Sequence, residues 1–253
     1  MSMRRRMRTV VVGGTPVIPS EIGMHDGLSY SLWVPEQAAV RGGVVILHGA
    51  GSCKENHHDF ARASLAAGLA ALVFDQRGHG ASEGAMDGRV LEDVAAMAAL
   101  LRSSIGGPQQ PVVLRGSSMG GYLAIVAAPV VRARGVVAIC PASSEGLRRG
   151  LTTGAFEFRA DVDELAAFLS EHELDDAVAS TEIPILLLHA EGDERVPVEQ
   201  SRELAGRLRA SEGRLITVPG GHHRSVQHDA ELSGLSLRWI ARVLAAAPAP
   251  GAY

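Results

Sequence analysis

Residues 115–121 read Arg-Gly-Ser-Ser-Met-Gly-Gly and hold two adjacent hydroxyls, Ser117 and Ser118. A serine becomes a nucleophile only with a base to take its proton, an acid behind the base, and donors for the oxyanion that forms on attack. The frame Gly-x-Ser-x-Gly fits residues 116–120 with Ser118 at its centre. Centring it on Ser117 would require glycine where Arg115 and Met119 stand. A nucleophile on a sharp strand-to-helix turn has strained backbone angles, and glycine on either side removes Cβ clashes with neighbouring backbone. The frame therefore selects Ser118. Taken alone it is weak evidence, since turns rich in glycine and serine are common. Its weight depends on a strand before it, a helix after it, and the remaining parts elsewhere in the chain.

The elements that would position such a site are legible as apolar runs. Leu28–Val34 alternates as a strand does, and Val44–Leu47, Ala70–Phe74, Val112–Leu114, Val136–Ile139, Ile185–Leu188 and Leu215–Val218 are continuous. Continuous runs are expected of strands buried on both faces. Helical spacing falls between them, at His57–Ala67, Val90–Leu101, Tyr122–Ala128, Val198–Leu208 and Leu232–Ala246. Strand and helix in repetition predict an α/β fold with a mostly parallel sheet and helices on both faces. Between Pro141 and Glu182 no strand-like run occurs, and Phe156, Phe158, Leu165, Phe168 and Leu169 suggest short amphipathic helices. This stretch, about 141–182, reads as a small cap insertion in one domain spanning 1–253. The tail from Ala245 looks loose.

Composition excludes little but points one way. A chain of 253 residues that is 46% hydrophobic can bury a sizeable core, and a net charge of −4 without a basic stripe gives no sign of nucleic-acid binding. Lys54 is the only lysine, which reads as a compositional bias. Two distant cysteines, Cys53 and Cys140, make no disulfide framework, so a cytoplasmic location is expected. After the basic start MSMRRRMR, the apolar run Val10–Val12 is too short for an export signal, and no run reaches membrane-span length. His57, His58 and Asp59 are contiguous rather than spaced along one helix face, so no metal site is expected there. His57 and His58 are expected at a solvent-facing helix start.

Three further stretches carry a resemblance: Leu47-His48-Gly49-Ala50-Gly51, Phe74-Asp75-Gln76-Arg77-Gly78-His79-Gly80-Ala81-Ser82, and Gly192-Asp193 after a strand. With the Ser118 turn they make the chain resemble the α/β-hydrolase superfamily over nearly its whole length, in the branch of serine esterases and serine aminopeptidases. The resemblance implies the chain order serine, acid, histidine. Asp193 is then the acid, with Glu191 and Glu194 read as solvated loop charges. The base follows the last strand, where family loops favour His223 and leave His222 as the alternative. The backbone N–H groups of Met119 and Ala50 would form the oxyanion hole. Asp75 and Arg77 would order their loop through hydrogen bonds or an ion pair, and His48 would order the loop that follows it.

The implied activity is hydrolysis of short to medium carboxylic esters through an acyl-enzyme, with a small-molecule ester as the partner and no metal or cofactor. A thioesterase or a small-peptide or amide hydrolase would use the same residues. A reading of another class is a non-catalytic binding protein on the same fold. Phe156, Phe158 and Phe168 are candidates to line the pocket. The Arg148-Arg149 pair is read as solvated, with an anionic substrate group as the alternative. The oligomeric state is left open.

Overall fold

The computed structural model describes residues 17–36 and 40–246. Eight strands form, seven of them from the apolar runs and the first outside them: β1 (Glu21–His25), β2 (Leu28–Trp33), β3 (Gly43–Leu47), β4 (Ala70–Phe74), β5 (Val112–Ser117), β6 (Gly135–Ile139), β7 (Ile185–Ala190) and β8 (Arg214–Val218). They make one sheet in the order β1-β2-β4-β3-β5-β6-β7-β8. The pairs β1/β2 and β2/β4 are antiparallel, and every later pair is parallel.

Side chains alternate across a strand, so a sheet buried on both faces divides its residues between two cores. Val45, Leu47, Leu72, Leu114 and Leu187 enter one cluster, and Val44, Ile46, Val73, Val113 and Leu188 enter the other. The first is covered by α2 (Val90–Ser104) and α3 (Met119–Val131), the second by α1 (His58–Ala66) and α9 (Ala230–Ala245). Trp239 and Ile240 of α9 and Phe60 of α1 are buried against that second face. Helices α4 (Ser144–Thr152), α5 (Val162–Glu171) and α6 (Leu174–Ser180) occupy the predicted insertion, and α7 (Val198–Ala205) and the short α8 (Ser225–His228) follow β7 and β8.

Three differences from the sequence reading have physical causes. Strand β1, Glu-Ile-Gly-Met-His, carries no buried side chain, so its pattern offered no signal. Strand β8 is an edge strand whose residues are only partly covered, not one buried on both faces. His57 is buried rather than solvent-facing, because it closes a short 3-10 turn, Lys54–His57, that precedes α1 and packs on β4. Residues 1–16, with the apolar run Val10–Val12, and the tail from 247 lie outside the described residues.

Candidate active site

The chain leaves β3 for β4 on one side and returns to β5 on the other. Ligands in open α/β sheets bind beyond the carboxyl ends of the strands at such a switch point. The loops after β3 and β5 carry Ala50 and Ser118, and those after β7 and β8 carry Asp193 and His223. Ala50, Ser118 and His223 line one cleft of about 440 Å³.

Ser118 stands between β5 and α3 with φ 54° and ψ −118°. A non-glycine residue at positive φ costs on the order of 1–3 kcal/mol and persists only where its surroundings hold it. Here Ser118 N–H donates to Ile139 O at 2.9 Å, and Ala142 N–H donates back to Ser118 O at 3.2 Å. The flanking glycines are required by close approach. A Cβ on Gly116 would lie 1.9 Å from Gly120 O, and one on Gly120 would lie 2.3 Å from Leu47 O. Ser117 is buried at the end of β5. Met119 is the first residue of α3, with its side chain in an apolar crevice under the insertion. Among the described residues, neither Met119 N–H nor Ala50 N–H donates to another protein group.

Asp193 and His223 are brought together, with Nδ1 of the imidazole 2.7 Å from Oδ2 of the carboxylate. The two loops are stitched by backbone bonds, Glu191 N–H to Val218 O and Gly192 N–H to Gly220 O, both at 2.9 Å. The other oxygen of Asp193 accepts from Arg195 N–H and Val196 N–H, each at 2.9 Å. Burial would raise the carboxyl pKa, but hydrogen bonds from His189, His223 and these backbone groups outweigh it. They hold Asp193 far below the usual carboxylate range.

His222 is exposed and its Nδ1 accepts from its neighbour Arg224 N–H at 3.3 Å, away from Asp193. Glu191 pairs with Arg202, whereas Glu194 accepts His223 N–H at 3.2 Å and so belongs to the base loop. Ser118 makes no hydrogen bond to His223. Such contacts are often long in unliganded sites and tighten with substrate.

Two neighbours of Asp193 escaped the sequence reading. His189, fully buried on β7, donates from Nε2 to Val196 O at 2.9 Å and lies 3.4 Å from Asp193 Oδ2. Since Nε2 faces two acceptors it carries the proton, and Nδ1 accepts from the Ser201 hydroxyl at 2.7 Å. Cys140, at the end of β6, places its thiol within 4.8 Å of the Asp193 and His223 ligand atoms. Burial keeps that thiol protonated. The signal available was parallel pairing, since β6 and β7 are neighbours with Ile139 level with Leu188.

The loop carrying Ala50 is fixed by the Asp75–Ser82 segment. His48 is fully buried, and burial together with His79 pushes its pKa down to about 4. The neutral ring donates from Nδ1 to Gly49 O at 2.8 Å and accepts Gln76 N–H at Nε2 at 3.0 Å. Asp75 accepts from Lys54 N–H at 2.7 Å, Lys54 Nζ at 2.9 Å and Ala81 N–H at 3.0 Å. Arg77 pairs instead with Asp93 at 2.9 Å. His79 accepts Gly51 N–H at 3.2 Å and stacks on Phe158 with ring centroids 4.2 Å apart. Arg159 N–H donates to Gly78 O, so the insertion is registered on the segment that holds the Ala50 loop.

Of the three phenylalanines proposed for the pocket, Phe156 lines the cleft. Phe158 lines only the neighbouring apolar crevice. Phe168 lines neither, because it faces the core and stacks on His172 at 4.3 Å. The arginine pair splits. Arg148 reaches Ser170 and Glu173, and Arg149 lines the cleft.

Residues 38–158 match the family described as serine aminopeptidase, S33, and residues 167–232 match that described as TAP-like protein. A monoacylglycerol lipase of Mycolicibacterium smegmatis is 27% identical, with 77% of this chain and 85% of that protein covered. Among solved structures, the Paleococcus ferrophilus monoacylglycerol lipase superposes with a TM-score of 0.64 at 20% identity, over 86% of this chain and 98% of that one. Est1E from Butyrivibrio proteoclasticus, solved with ferulic acid bound, superposes with a TM-score of 0.69 at 19% identity, over 90% and 100%. Sheet order, strained serine turn and sequence matches agree: the chain belongs to the α/β-hydrolase superfamily.

Proposed function

We propose that this hydrolase cleaves carboxylic esters through an acyl-enzyme, with Ser118 as nucleophile, His223 as base and Asp193 as acid. The observation that carries the reading is the 2.7 Å contact between His223 Nδ1 and Asp193 Oδ2 in the loops beside Ser118. Asp193, held ionised, fixes the tautomer that leaves Nε2 free to accept the Ser118 proton, and it stabilises the imidazolium. The Ser118 oxygen then bonds to the ester carbonyl carbon. Negative charge builds on the carbonyl oxygen, where the Ala50 and Met119 N–H groups receive it, at roughly 3 kcal/mol per donor. His223 returns the proton to the leaving alkoxide, and water repeats the sequence to release the acid.

Short to medium acyl groups fit this reading. The apolar crevice that adjoins the cleft at Leu147 and Phe156 has only about 10 Å³ of free volume. A series of p-nitrophenyl esters of increasing acyl length tests it, using wild type and Ser118→Ala. We expect a maximum at short to medium chains and a loss of about a thousandfold or more in the variant. Faster turnover of matched thioesters or aminoacyl amides than of esters would overturn the choice of substrate.

A further inference from the structure

The chain as a whole is acidic, with a net charge of −4. Its cleft is not. Three guanidinium groups, Arg149, Arg195 and Arg224, line it against a single carboxylate, Glu157. They come from three elements: α4, the loop after Asp193 and the loop after His223. Their local pairing is slight. Arg149 and Arg195 each sit 4.0 Å from a glutamate on their own element, Glu145 and Glu194. Glu194 is also engaged by His223 N–H. Among the described residues, Arg224 makes no ion pair. Positive groups gathered at a concave surface of a negative chain attract anions and raise their local concentration.

The chemistry of the reading above gives the cluster a side. The base hands its proton to the leaving oxygen, so the alcohol half of the ester must lie against His223. Arg224 is the next residue, and Arg195 is two residues beyond Asp193. Arg149 closes on the same space from the insertion. Guanidinium groups suit carboxylate and phosphate oxygens through paired N–H donors. We propose, resting on the serine-hydrolase reading, that the ester taken here bears an anionic group, carboxylate or phosphate, on its alcohol half.

The test compares kcat/KM for butyryloxyacetate, 2-butyryloxyethyl phosphate and the neutral butyryloxyacetamide. These are measured by acid release on wild type, Arg224→Gln, Arg195→Gln, and Arg224→Lys as the conservative control. Because the arginines are solvent-exposed, the expected fall in the anionic-to-neutral ratio is modest, about three- to tenfold for each glutamine variant, and smaller in 0.5 M salt. The lysine variant should keep most of the ratio. The anionic ester whose ratio falls further identifies the oxyacid. A ratio unmoved by either glutamine substitution would overturn the proposal. p-Nitrophenyl butyrate separates the failures. If wild type cleaves it, Ser118→Ala does not and the ratio is unmoved, only the anion proposal falls. If wild type does not cleave it, the serine-hydrolase reading falls as well.

Discussion

At the scale of single residues the account rests on which histidine meets the acid. Two adjacent histidines follow β8, and only His223 reaches Asp193, while His222 turns outward. His222→Ala should therefore keep most of the wild-type kcat, and His223→Ala should lose about a thousandfold or more. Equal losses in both variants would contradict the assignment. Asp193→Asn should leave the fold intact and lower kcat by roughly ten-thousandfold with little change in KM, because an amide supports the wrong tautomer. Single-turnover kinetics check this, since acylation and deacylation both need the base and both should slow.

At the scale of elements, the turn between β5 and α3 is tightly constrained. Gly120→Ala would set a Cβ against the Leu47 and His48 carbonyls, both backbone atoms that cannot yield cheaply. Its cost should exceed about 4 kcal/mol in urea denaturation, the range reserved for severe steric conflicts. A loss below about 1 kcal/mol would mean that the turn is looser than described. This constraint was readable from the sequence, because glycine spacing around a serine between a strand and a helix has one economical explanation. One alternating stretch likewise announced β2, and continuous apolar runs announced the six strands from β3 to β8. Strand β1 was hidden because its side chains face solvent. The partly covered nature of β8 was hidden because Leu-Ile-Thr-Val reads alike at an edge or a centre. Phe168 went to the core rather than the pocket, since helical periodicity says which residues share a face but not what that face meets. His189 and Cys140 join Asp193 through strand pairing, which no local pattern encodes.

At the scale of the whole molecule, buried neutral histidines tie stability to pH. The folded-state pKa of His48 is lowered to about 4 from the ordinary 6.5, and burial lowers His57 and His79 in the same direction. In the unfolded chain these rings gain protons below about pH 6.5, while the folded protein resists. Stability is therefore full above 6.5 and falls as pH drops toward 4, with His48 alone contributing about 3 kcal/mol of the loss. Urea midpoints at pH 7, 5.5 and 4.5 should decline in that order, and a flat or rising series would contradict the burial of neutral rings. Among the described residues no helix is long and apolar enough to cross a membrane. The molecule is a sheet whose strand ends gather four loops into one cleft, and its central claim is that Ser118 there is an activated nucleophile. Reaction of the folded protein with a fluorophosphonate, followed by peptide mass mapping, tests this most directly. The account predicts one adduct, on Ser118, that is lost in His223→Ala; an unlabelled protein, or an adduct on Ser117, would contradict it.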